Sequence, residues 1–386
     1  MLIYLIAGEP SGDMLGAKLM RALKEQCPEV KFAGIGGDNM EKEGMQSLFD
    51  ITDLAVMGLV EVIPSIPKVL RHIKETVADI SKKNPDIVIT IDSWSFSARI
   101  HKALRKKNIK VYQMHYVAPQ VWAWKKWRAK TMYKYIDRLL TLFPNEPAYF
   151  TPYHLPTDFI GHPVIENFTD NVDISGFLAK YNIAENKKIV LILPGSRHNE
   201  VANLLPTFLA TADRLKEQNP DLFFVLPTVK TVEKRVRAMV EKSKNDILII
   251  NTQAERHAAT KIASIAIAAS GTVALELAIA NVPHLVAYKV PPLTAWLARH
   301  LTDIKYVNLT NLLLNQSIVP ELLQEECNQE KLYQTAMDLL NSDSELYKTE
   351  EEGFEKLRRT LGVGKAKPSQ RAAEIILKEI RERSTH

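Results

Sequence analysis

Short, almost unbroken apolar runs recur along the chain with helical text between them, and no other feature narrows its fold as far. In the first half they are Leu2–Ile6, Lys31–Ile35, Ile87–Ile91, Val111–His115 and Arg138–Leu142. Each is too short for a buried helix and lacks the alternation of a strand with one wet face. Each therefore reads as a strand buried on both sides. Between the first two, Leu15, Leu19 and Leu23 repeat at helical spacing. That order predicts an α/β architecture, parallel sheets with helices on both faces.

The text changes at "TPYHLPTDFIGHPV", and from Thr151 to about Asn186 it is irregular, like a crossing between domains. A second alternating series follows, with "KKIVLILPGSR", "DLFFVLP", "DILIIN", "SIAIAAS" and "HLVAYKV" as its strands. A length of 386 residues suits two such domains. We expect two Rossmann-like halves, 1–165 and 166–343, facing each other across a cleft. A charged helical tail, 344–386, would then pack back on the first domain or on the partner chain of a homodimer, and the sequence leaves both open.

The loops after the strands carry the chemistry. "IVLILPGSR" puts Gly195, Ser196 and Arg197 after an apolar run, combining close backbone approach, a hydroxyl and a planar cation suited to phosphate. "AIAASGTVALE" puts Ser270, Gly271 and Thr272 at a second strand-to-helix turn, with Glu276 one helical turn on, where a carboxylate can accept ribose hydroxyls. Plain turns and helix caps would use the same residues. The first domain opens differently. "AGEPSGDMLGA" carries Glu9 and Asp13 in the position of a phosphate loop, and "DIVITIDSWSF" ends a strand on Asp92. Such a loop repels a diphosphate but can hold neutral hydroxyls or take a proton from one. Helix capping by Asp92, Asp13 or Ser11 is the plainer alternative. His115, ending another strand, is a weaker base candidate. A diphosphate side and a carboxylate side suit sugar transfer from a nucleotide sugar. No Asp-x-Asp metal motif stands in these loops, and neither metal nor cofactor is expected.

Leu54–Glu75, "LAVMGLVEVIPSIPKVLRHIKE", is apolar at first, through Met57, Val60, Val62 and Ile63, and basic later. It reads either as core or as a patch facing lipid. "VAPQVWAWKKWRAKTMYKY" interleaves Trp122, Trp124 and Trp127 with lysines and arginines, as at a headgroup interface. A formal net charge of +5 fits an acidic ligand or an anionic membrane surface. Without a dense basic stripe it does not imply nucleic acid. Cys27 and Cys327 stand alone, as reduced cytosolic thiols do, and no apolar run is long enough for a signal peptide or a membrane span.

Taken in order, "AGEPSGDMLGA", "AVMGLVEV", "HYVAPQVWAW", "FIGHPV", "LPGSR", "ASGTVALE" and "YVNLTNLL" resemble the lipid-A-disaccharide synthase family over most of the chain. The resemblance implies a GT-B fold and an inverting hexosyl transfer from UDP-2,3-diacylglucosamine to lipid X, forming a β(1→6) bond and releasing UDP. It places the family's motif acid on Glu9, the favoured general base on Asp92, the motif arginine on Arg197 and the late asparagine on Asn311. It also implies a cytoplasmic protein held peripherally at the inner membrane, in Gram-negative outer-membrane biogenesis. The sequence departs from the family at Trp94, where a proline is usual, and at Ser95, which replaces an Asp or Gly. Both flank the proposed base. Two rivals are a UDP-sugar 2-epimerase and a UDP-sugar-binding membrane scaffold without catalysis.

Overall fold

Six parallel strands make the first sheet: β1 (Leu2–Ala7), β2 (Lys31–Ile35), β3 (Ile87–Ile91), β4 (Tyr112–Tyr116), β5 (Arg138–Thr141) and β6 (Thr157–Phe159). Their order is β2-β1-β3-β4-β5-β6. A second parallel sheet uses β7 (Lys188–Leu193), β8 (Leu222–Pro227), β9 (Ile247–Ile250), β10 (Ala263–Ala269), β11 (His284–Tyr288) and β12 (Glu321–Leu323). Its order is β12-β11-β10-β7-β8-β9. The computed structural model describes residues 1–54, 62–121, 126–166, 172–290 and 305–384, without the side chains of 62–66, 126 and 384.

The chain divides into two compact units, residues 1–163 with 364–386, and residues 164–363. Each is built as its strands demand. Every residue of β3 and of β4 is buried, so helices must cover both faces. In unit 1, Tyr4, Ile6, Ile35, Val88, Ile100 and Val77 pack one face of the sheet into a common core. In unit 2, Val190, Ile192, Phe224, Ile265 and Leu285 pack against Leu204, Phe208 and Leu332 from the helices.

Two features differ from expectation. β6 lies inside the stretch read as an irregular crossing. At three residues it is too short to show a period, yet it closes the edge of the first sheet against β5. The break expected at Ser344 falls instead at Gly364. Helix Glu345–Leu361 belongs to unit 2, and helix Pro368–Ser384 belongs to unit 1. The last helix packs against helix Pro10–Gln26 with Ala372, Ala373, Ile376, Leu377 and Ile380 buried. Arg138 pairs with Glu379 at 2.8 Å, and Arg371 donates to the Phe159 carbonyl at 2.7 Å.

In each sheet the order reverses once beside its first strand. In unit 1 the chain steps from β1 to β2 on one side and then places β3 on the other. In unit 2 it runs β7, β8, β9 and then returns to place β10 beside β7. Loops at the carboxyl ends of β1 and β3, and of β7 and β10, therefore diverge from one another. Open α/β sheets bind ligands in the crevice this divergence leaves.

Gly34 tests the pairing on which unit 1 rests. It faces Leu5 with φ +139°, and a Cβ there would stand 1.8 Å from the Leu5 carbonyl oxygen. Gly34→Ala is expected to cost about 3 kcal/mol or more, a fall of roughly 6 °C in melting temperature for a unit of this size. Calorimetry reads the shift, and a change under about 2 °C would contradict the strain argument.

Candidate active site

The reversal in unit 1 brings Glu9 and Asp92 together. Ala7 pairs with Ile91 in the register of β1 and β3, so Gly8-Glu9 and Asp92, just beyond the strand ends, are neighbours. Ser11 Oγ donates to Asp92 Oδ2 at 3.3 Å, and the Glu9 carboxylate hydrogen-bonds Ser93. Burial of the Glu9 carboxyl, and next the negative charge of Asp92, hold its pKa above the ordinary value, with Ser93 opposing them.

Backbone strain marks the same edge. Asp92 and Ser93 have φ of 55° and 44°, and Val117, at the end of the adjacent β4, has φ 81°. A β-branched residue there is a true outlier, and each such residue costs about 1–3 kcal/mol. The conformation is fixed from several sides. Asp92 N–H donates to the Tyr116 carbonyl at 2.9 Å, Ser97 Oγ donates to the Asp92 carbonyl at 2.9 Å, and Ser93 N–H donates to Asp92 Oδ1 at 2.7 Å. Asp92 is thus held by its backbone while one carboxylate oxygen meets only the weak Ser11 bond among the described residues.

Two first-unit candidates have other work. Asp13, expected to face the acceptor, is 2% exposed. It accepts from the backbone N–H groups of Gly37, Asn39 and Met40 and from Asn39 Nδ2, at 2.8–3.0 Å. Its lone pairs cap the turn after β2, so it holds the fold and is withdrawn from the site. His115 is fully buried, 2.6 Å from Thr90 Oγ1, whose oxygen is also 2.8 Å from His101. Burial first, then the neighbouring His101, drives its pKa well below the usual imidazole range. It is a neutral core histidine under the Trp94 ring, 4.7 Å between centroids, and no base for a substrate.

In unit 2 the reversal does the same for the anion loops. Ala268 of β10 pairs with Leu193 of β7, and the following turns enclose a cavity of about 420 Å3. Gly195, Ser196, Arg197, Ser270, Gly271, Thr272 and Glu276 all line it. Gly195 has φ +102°, and a Cβ would come within 2.4 Å of Glu200 Oε2. That oxygen accepts from Ser196 N–H at 3.0 Å and Arg197 N–H at 3.2 Å, closing the turn onto helix His198–Gln218. Arg197 reaches Glu200 Oε1 at 2.7 Å while its side chain stays 71% exposed. It is a cation at the cavity wall with room to turn.

Asn311 is the exception. It is fully buried, donates to the Val319 carbonyl and Glu321 Oε1, and accepts from Ile318 and Val319 N–H, all at 2.8 Å. All its bonding capacity is used internally, so it contacts no nucleotide. Its role is indirect. Glu321 also accepts from Val307 and Asn308 N–H, and the Val307 carbonyl accepts from Ser270 Oγ at 3.4 Å.

Three polar lining residues are not announced by the sequence motifs. Glu200 closes the first turn. Thr228, just past β8, turns a buried hydroxyl with no partner among the described residues toward the same wall. Its only signal is its place at a strand's carboxyl end. Arg256 lies on helix Gln253–Lys261 and pairs with Glu276 across the cavity, and no motif announces it. Of the lipid-facing candidates, Met57, Val60, Trp122 and Trp124 lie outside the described residues, as do the side chains of Val62 and Ile63. Nearby, Leu70 and Trp127 are half-exposed apolar side chains. Among the described residues, no helix is long and apolar enough to cross a membrane.

Comparison with known proteins identifies the family. Residues 3–376 match the family model for lipid-A-disaccharide synthetase. The lipid-A-disaccharide synthase of Paramagnetospirillum magneticum is 45% identical over 99% of this chain and 98% of its own. That of Rhodospirillum centenum is 42% identical over 99% and 96%. In fold, the chain is similar to the UDP-GlcNAc 2-epimerase of Neisseria meningitidis solved with UDP-GlcNAc, with TM-score 0.64, 12% identity, and 99% and 100% of the two chains covered. At that identity the likeness concerns fold alone.

The raised pKa of Glu9 has a measurable sign. A carboxyl with a folded pKa above its unfolded one loses stability as pH rises through the interval between them. Glu9→Gln should match wild type in melting temperature near pH 4 and exceed it near pH 8. Equal curves across that range would mean that Asp92 and burial exert no net pressure on Glu9.

Proposed function

The chain belongs to the lipid-A-disaccharide synthetase family and is a glycosyltransferase, and from that premise we propose that it transfers 2,3-diacylglucosamine from UDP-2,3-diacylglucosamine to the 6-hydroxyl of lipid X. The unit 2 cavity takes UDP. Arg197 swings from Glu200 onto the diphosphate, and the backbone of the Ser270–Thr272 turn approaches the same oxygens. Glu276 accepts from the ribose hydroxyls. The observation that carries the reading is the convergence of two separate strand-to-helix turns, "PGSR" and "SGT", on one cavity at the reversal of the second sheet.

Asp92 is the general base. It takes the proton of the acceptor hydroxyl, the oxygen attacks the anomeric carbon from the face opposite the leaving group, and the carbon–oxygen bond to UDP breaks with inversion. Charge that builds on the departing diphosphate is met by Arg197 and the turn amides. Glu9 orients the sugar hydroxyls beside Asp92, accepting their hydrogen bonds. Strain at Asp92 supports this division, because it fixes a carboxylate where charge transfer demands a fixed acceptor. Residues from Met57 to Ile63 and around Trp122 and Trp124 hold acyl chains at an anionic membrane surface, and the protein works at the cytoplasmic face of the inner membrane.

The first experiment mixes purified protein in detergent micelles with the UDP-sugar and radiolabelled lipid X, and separates products by thin-layer chromatography. A disaccharide phosphate formed in step with UDP is expected, with turnover falling away when detergent is withdrawn. UDP-sugar that binds without yielding disaccharide would turn the reading toward epimerase chemistry or an inactive scaffold. Asp92→Asn should lower kcat by about 10²–10⁴-fold with KM within about threefold, since a base acts in the transition state. Turnover near wild type in that variant would move the base to Glu9.

A further inference from the structure

Arg256 and Glu276 face each other in the unit 2 cavity from two different helices, Gln253–Lys261 after β9 and Thr272–Ile279 after β10. The Arg256 guanidinium donates to Glu276 Oε2, and both side chains are partly exposed, 37% and 26%. Neither residue is needed to fill the core. The pair instead answers a conflict within the site. A carboxylate that reads ribose hydroxyls must be ionised and fixed in plane, yet an unpaired carboxylate beside a diphosphate repels it. A guanidinium bound to one oxygen resolves both: it fixes the glutamate rotamer and cancels its charge. Arg197 and Glu200 repeat the arrangement at the other turn. Among the described residues, the charged ones lining the cavity, Arg197, Arg256, Glu200 and Glu276, therefore sum to zero.

We propose that Arg256 is a positioning residue for ribose recognition, holding Glu276 so that the cavity selects ribonucleotides from deoxyribonucleotides while still admitting a diphosphate. This rests on the reading of the cavity as the UDP site. It assigns Arg256 no contact with the nucleotide. Arg256→Gln should remove the guanidinium that fixes this rotamer and leave the Glu276 charge uncancelled by Arg256. Selectivity should then fall, and so should affinity for any nucleoside diphosphate. Removing the charge as well, in Arg256→Gln/Glu276→Gln, should restore diphosphate affinity without restoring selectivity.

Isothermal titration of UDP and 2′-deoxy-UDP onto the full chain tests this. Wild type should prefer UDP by roughly tenfold or more, the size of a hydrogen bond to a charged acceptor. In Arg256→Gln the ratio should drop below about threefold, Arg256→Lys should keep part of it, and the double variant should bind 2′-deoxy-UDP more tightly than Arg256→Gln does. A wild-type ratio in Arg256→Gln overturns the inference, whether or not both affinities weaken. A double variant no better than the single overturns it too, because Arg256 would then contact the phosphates directly. Wild type that binds neither nucleotide rejects the UDP site itself, whereas wild type that binds UDP without selectivity rejects ribose recognition by Glu276, and with it the role of Arg256, but leaves the diphosphate site standing.

Discussion

Parallel pairing of β1 with β3 on one side and β2 on the other is the constraint from which the first unit follows. Parallel strands present all their carboxyl ends at one edge, and a reversal beside β1 forces the loops there to part. The residues beyond Ala7 and Ile91 are left as neighbours with space above them. The second sheet repeats the device with β7 and β10. Neither site is an addition to its sheet. Each occupies the place where the winding leaves backbone groups and short side chains without a covering helix.

The two edges meet their charge in opposite ways. In unit 2 each acid has an arginine, Glu200 with Arg197 and Glu276 with Arg256. In unit 1 burial and then the Asp92 charge raise the Glu9 pKa, and among the described residues Ser93 hydrogen-bonds Glu9 and Ser11 hydrogen-bonds Asp92. A charge-compensated wall suits recognition of an anion, whereas a pair of acids attended by hydroxyls suits polar contact with neutral sugar hydroxyls. The division of labour is therefore electrostatic before it is geometric.

Much of this was legible in the sequence because burial on both faces leaves a strong trace. β1, β2, β3 and β7 stand in the text as short, almost unbroken apolar runs, and the turns after them announce themselves by Gly and Ser. The trace fails where one residue type serves two ends. Asp13 sits in an acidic motif next to Glu9, but helix Pro10–Gln26 turns it inward to the amides of the next loop. Asn311 lies in a motif as telling as that of Arg197, yet spends every bond on its own loop. A linear text does not say which way a polar side chain points. Arg256 was invisible for the complementary reason: its partner Glu276 is 20 residues away on another helix, and only the folded sheet brings them face to face.

Helix Pro368–Ser384 has a consequence for how the protein is made. It covers helix Pro10–Gln26 in unit 1, although the whole of unit 2, residues 164–363, is translated in between. At about 5–20 residues per second, the ribosome needs roughly 10–40 s for those intervening residues. Throughout that time the first sheet has emerged, but the faces destined for Ala373, Ile376 and Leu377 are bare. Unit 1 is thus begun before unit 2 and completed after it, and its apolar surface is open to chaperones for the length of a second domain's birth.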